Sequence, residues 1–208
     1  MTKEQYVSLI IDYLAGGNCP ADLRGRYHPQ IIEKYLDMVF SEIVYQAHAN
    51  AVTFRDFGQL DAYAKALKNV QVDYDQDRDE HYSVLPDTVI GLPMNRGIRS
   101  ISPMQDQKSK FWYSENNTVD VYDELEVGMI INKTRYYVEG GRVYYRNYDD
   151  NITDLLFKLI VPIGSMDDED EIPIPAQNNA QVFNMIISIL RQKPPEKQSN
   201  DNNAKTQV

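Results

Sequence analysis

The stretch from Thr134 to Asn147, TRYYVEGGRVYYRN, constrains the fold more than any other part of the chain. Two β-rich runs flank Gly140-Gly141. A two-residue type I′ loop needs positive φ at both central positions, and glycine adopts that without steric cost. The register follows from the loop. Glu139 faces Arg142, Val138 faces Val143, Tyr137 faces Tyr144 and Tyr136 faces Tyr145. One face then carries Tyr136, Val138, Val143 and Tyr145. The other carries Tyr137, Tyr144, the opposite charges Glu139 and Arg142, and the like charges Arg135 and Arg146. An isolated hairpin is marginal in water, so further strands or helices must cover it.

The flanking sequence supplies them. Residues 3–15 place Tyr6, Leu9, Ile10, Tyr13 and Leu14 at helical spacing, with Thr2 as the cap and Gly16-Gly17 as the stop. Pro29 opens a second helix, expected over 29–49, with a stripe of Ile32, Tyr35, Leu36, Val39, Ile43 and Ala47. The two read as a helical hairpin. Residues 60–67, LDAYAKAL, have the composition of one or two helical turns. Residues 69–74 alternate as a strand, 81–85 read as its partner, and the polar link between them is solvent-facing. The Pro-punctuated stretch 86–103 reads as extended segments, with a short strand over 97–102. KFWY (110–113) is another short strand, 114–128 an acidic loop, and 155–163 a strongly apolar strand ended near Pro162. Residues 176–193 form a last helix whose apolar positions cover most of its circumference. Such a helix is buried on several sides, against the N-terminal helices or against another subunit, with Phe183, Ile187 and Leu190 as contact candidates. The fold class is therefore α+β. A helical part (1–68) and a C-terminal helix (176–193) accompany a central antiparallel β part (69–175), a small sandwich or barrel. Residues 194–208 lack apolar periodicity and read as a disordered tail.

Charge and motifs narrow the chemistry. Thirty-one acidic residues against 21 Lys and Arg give a net charge of −10, so counterion release cannot drive binding to DNA. The single cysteine, Cys19, permits no intramolecular disulfide and nearly excludes a thiolate zinc site, which fits a reducing compartment. The N-terminal segment, carrying Lys3, Glu4 and Asp12, does not read as a signal peptide, and no apolar run is long enough to span a membrane. Asp73, Asp75, Asp77 and Asp79 imitate the start of a calcium loop. Arg78 stands where that loop requires Gly, and Val84 where it requires Glu, so a solvated edge is the better reading. The acids at 167–171 read as a solvated loop. His28, His48 and His81 share no metal-ligand spacing, and neither Gly-Gly pair begins a phosphate loop. No catalytic residue, metal ligand or cofactor site is assigned, and an enzyme is not expected.

Arg135 and Arg146 oppose one another on the hairpin face that holds Tyr137 and Tyr144. Like charges in that position need acids to answer them, on this chain or on a neighbour. Those four residues are therefore candidates for a subunit interface. The 15 tyrosines suit a contact surface, since each ring buries area while its hydroxyl finds a partner.

Three stretches together carry a family likeness: DLRGRYHPQIIEKYLDMVF opening the second helix, LPDTVIGLPMNRGIRSISPMQ, and EIPIPAQNNAQVFNMIISILRQK before the polar tail. The combination resembles the ring or adaptor proteins of the head-to-tail connector in tailed bacteriophages, and is most similar to those of short-tailed, crAss-like phages. The resemblance implies a structural virion protein without catalytic residues. It implies a homo-oligomeric ring, a dodecamer by that likeness, between portal and tail proteins and around the DNA channel. DNA would pass without specific binding, which an acidic lumen favours. Two other readings of the sequence are a different tail or head-completion protein, and a lectin-like binding module using Trp112, Tyr113 and Tyr122.

Overall fold

The structure is a computed structural model that describes residues 1–16, 28–115 and 133–192. The connector at 20–27, most of the acidic loop at 114–128 and the tail lie outside the described residues.

Helix α1 (Lys3–Ala15) starts at a capping box: the Thr2 hydroxyl accepts from Gln5 N, and the Gln5 side chain accepts from Thr2 N. It buries Tyr6, Val7, Ile10 and Leu14. Helix α2 (Pro29–Phe54) has Pro29 at its first turn and the His28 side chain as cap. It runs five residues past the end expected from sequence. Ala51 still belongs to its buried face, the Thr53 hydroxyl donates back to Ala49 O at 2.9 Å, and the left-handed Arg55 ends it. A 3-10 helix over Phe57–Tyr63 follows.

The helical expectation for 60–67 fails in its second half. Strand β1 (Lys65–Gln71) begins there, because β8 (Asp154–Leu159) pairs Ala66 with Lys158 and Leu67 with Phe157. Helix-forming composition yields to a cross-strand partner with a strongly apolar face. The other strands are β2 (Asp73–Asp75), β3 (Glu80–Val84), β4 (Ile98–Pro103), β5 (Trp112–Tyr113), β6 (Arg135–Glu139) and β7 (Arg142–Arg146).

They form two open sheets, ordered β1-β8-β4 and β2-β3-β7-β6-β5. The barrel alternative is thereby corrected: among the described residues, no ladder joins the sheets into a closed cylinder. What joins them is the chain itself. β1 and β2 are separated only by Val72, so nearly one strand leaves the first sheet and enters the second. The Ser83 hydroxyl donates to Gln71 O at 2.8 Å beside this corner. Pairing is antiparallel except between β5 and β6. The hairpin has the expected register and its glycines have φ of 58° and 77°. Its neighbours are β3 and β5, while β8 lies in the other sheet.

One apolar cluster unites the layers. It takes Leu36, Phe40 and Val44 from α2, Ile101, Leu155 and Phe157 from the three-stranded sheet, and Tyr136, Val143 and Tyr145 from the hairpin. Helix α3 (Asn179–Gln192) adds Val182, Ile186, Ile187 and Leu190. The Tyr6 hydroxyl donates to the Asn179 side chain, tying α1 to the start of α3. None of the described helices is long and apolar enough to cross a membrane.

Candidate assembly surfaces

The outer face of the five-stranded sheet is a polar and aromatic layer in register. Tyr82, Tyr144 and Tyr137 lie side by side on β3, β7 and β6. Tyr137 and Tyr144 stack at 5.3 Å with an interplanar angle of 16°. Arg78 lies 4.6 Å over the Tyr144 ring, and Arg142 lies 4.6 Å over that of Tyr82. Glu139 and Arg142 are neighbours in register, and each also meets a charged partner elsewhere. Arg78 grips the Glu139 carboxylate at 2.7 and 3.1 Å, and Arg142 comes within 3.7 Å of Asp75.

The next row holds the like charges. Arg135 opposes Arg146, and is only 2% exposed. Burial and the Arg146 charge both push its guanidinium below the usual arginine range. The answering acid is on this chain. The Glu80 carboxylate, 5% exposed, sits 2.6 Å from Arg146 Nε and accepts from the Tyr137 hydroxyl. Burial first, then the Glu80 bond, raise the Tyr137 hydroxyl to about 12. Arg135, Tyr137, Tyr144 and Arg146 thus come together as expected, and Glu80 is the member that sequence reasoning missed. It comes to Arg146 only because β3 pairs with β7, which no local sequence signal gives.

The α3 candidates fall elsewhere. Leu190 and Ile187 are buried within this chain, and Phe183 meets Tyr13 of α1 edge to face at 5.2 Å. Of the two packing options, the structure displays the one against the N-terminal helices. Apart from Ala180 the exposed residues of α3 are polar, namely Gln181, Asn184, Ser188, Arg191 and Gln192, so the helix is two-sided after all.

The acids at 167–171 are largely exposed but also hold the N-terminus. The carbonyls of Asp170 and Asp168 accept from Lys3 N and Glu4 N, which are first-turn amides of α1. Lys3 Nζ lies 2.9 Å from both Met166 O and Asp168 Oδ1. Acids at that helix end also oppose its positive dipole.

Among the described residues, no group of three or more acidic, His or Cys side chains could hold a metal ion. A cleft of about 470 Å³ between α2, the 3-10 helix and the approach to α3 is lined by carboxamides such as Gln46, Asn50 and Asn178, with no charged group among the described lining residues. A larger cleft of about 750 Å³ beside β5 is lined by Lys108, Lys110, Trp112, Lys133 and Asp149 among others.

Helix α2 shows a second face that the core stripe did not reveal. Met38, Tyr45 and Val52 recur every seven residues and are exposed, and Phe54 at the helix end is 72% exposed. Their spacing is readable in the sequence once the buried stripe is subtracted. No protein-family model matches the chain, and no curated protein matches it either.

Proposed function

We propose that this chain is a structural virion protein that forms an oligomeric ring in a phage head-to-tail connector, between portal and tail. The observation that carries the reading is the double face of α2. A 26-residue helix buries one side in its own subunit and leaves Met38, Tyr45, Val52 and Phe54 facing solvent. Exposed apolar residues at seven-residue spacing suit a helix partner, since such a seam keeps to one side over successive turns. The described parts of the three stretches behind the family resemblance also pack together. α3 and α2 share one core with Ile90, Leu92 and Ile172, and the Tyr45 hydroxyl donates to Gly91 O at 3.2 Å. The ring would close through repeated heterologous contacts.

Electron cryo-microscopy of the particle tests this. The expected result is a ring of this chain on the tail axis, between portal and tail. A position off that axis, or absence from the particle, overturns the proposal.

A further inference from the structure

The five-stranded sheet ends in two unlike edges. β2 and the turn after it carry Asp73, Asp75, Asp77 and Asp79 with one cation, Arg78, which Glu139 already holds. At the opposite edge, β5 lies beside the cleft lined by Lys108, Lys110, Trp112 and Lys133, with Asp149 as the acid among the described lining residues. Asp106 accepts from Lys108 N and the Ser109 hydroxyl in its own turn, and Glu115 follows at the far end of β5. Three lysines lining one cleft stand out in a chain with a net charge of −10.

Both edges also expose aromatic rings. Tyr74 on β2 is 49% exposed and Trp112 on β5 is 44% exposed. Lys133 Nζ stands 6.0 Å from the Trp112 ring centre. β5 gives its Trp112 and Ser114 amides to Thr134 and Tyr136, which directs the backbone of Tyr113 outward. Each edge strand is only two or three residues long, so the backbone alone would hold a neighbour weakly. Charge and aromatic area must then supply selectivity.

We infer that the acidic β2 edge of one copy docks on the Lys108–Lys110–Lys133–Trp112 edge of the next. The occupant is a second copy of this chain because the complementary charge is present at the other end of the same sheet. Opposite edges that recognise one another give a heterologous, head-to-tail contact, the type that closes into a ring. The inference rests on the ring reading and names its contact.

Two charge-reversal variants of the full chain test it by analytical ultracentrifugation at low salt. One carries Asp73→Lys and Asp77→Lys, the other Lys110→Glu and Lys133→Glu. Each alone should self-associate more than about a hundredfold less tightly than the natural chain. An equimolar mixture should associate again, because a lysine-bearing β2 edge then meets a glutamate-bearing β5 edge. That recovery also shows that both variants fold. If the natural chain associates and both variants do so equally, the edge contact is overturned while the ring reading stands. If the variants dissociate and the mixture does not recover, the pairing of these two edges is overturned. A natural chain that stays monomeric at millimolar concentration overturns the edge contact, with the ring reading decided separately on the particle.

Discussion

Glu80 and Arg146 face one another across β3 and β7, with carboxylate and guanidinium 2.6 Å apart. The buried acid thus answers Arg146, the like charge that Arg135 meets across β6 and β7. Removing one member of a buried pair leaves the other charge uncompensated. Glu80→Ala should cost about 3 kcal/mol, at the lower end for such pairs because Arg146 keeps partial contact with solvent. Glu80→Gln, which can still accept from Tyr137, should cost less. Urea denaturation measures both, and equal losses would deny the charge its role.

The grip of residues 166–170 on the first turn of α1 predicts an asymmetry. Lys3 is buried and donates to Met166 O, whereas Asp168 is mostly exposed. Lys3→Ala should destabilise by about 1–3 kcal/mol by leaving a buried carbonyl without its donor. Asp168→Asn should cost less than about 1 kcal/mol. Faster hydrogen exchange across α1 in the Lys3 variant alone is the expected pattern.

Acid should weaken the same clasp. The Lys65 ammonium, 2.7 Å away, is the main cause that holds Asp170 below its ordinary value of 3.8. A carboxyl whose folded value is depressed stabilises the fold above its unfolded value and loses that contribution as the pH falls through the folded one. Stability should therefore decline below about pH 4, and Asp170→Asn should flatten part of that decline. Melting temperatures between neutral pH and pH 3 provide the comparison; identical slopes would exclude Asp170 as a contributor.

Leu190→Ala separates core from interface. Leu190 is fully buried within one chain, so truncation should cost about 2–5 kcal/mol in the isolated protein. Phe183→Ala, at a half-buried ring, should cost less. A Leu190 variant that weakens only assembly, with an unchanged unfolding midpoint, would show that α3 packs differently.

Gly97 should tolerate no side chain. A Cβ there would lie 2.2 Å from Ile90 O and 2.5 Å from Val89 Cγ1, while Gly97 O accepts from Ile160 N at 2.8 Å. Gly97→Ala must push this crossing apart, at a cost of roughly 1–3 kcal/mol. Thermal unfolding reads the loss, and Gly91→Ala, with open space around it, is the control.

The parts that were legible in the sequence are those decided locally. Gly140-Gly141 between alternating runs set the hairpin and its register, and Thr2 marked the start of α1. What was not legible depends on partners far along the chain. Lys65 to Leu67 have helix-forming side chains and became a strand because Phe157 to Leu159 lie alongside. Gly97 read as a strand start, but its need for glycine comes from Ile90 crossing over it. The hairpin candidates were visible because alternation assigns faces, whereas Glu80 required knowing that β3 pairs with β7. Lys133 is remote in sequence from Lys108 and Lys110, and only the pairing of β5 with β6 brings it to their edge.

The bend at Val72 has a mechanical consequence. Because β1 and β2 are almost one strand, a pull on the acidic edge travels along covalent backbone into the sheet that lies in one core with α2. Peeling β2 from β3 would load the β1–β8 ladder in turn, so the outer edge cannot yield without recruiting the interior. A subunit gripped at that edge would behave as a tethered strut, transmitting tension to its neighbour's anchor instead of fraying at the point of contact.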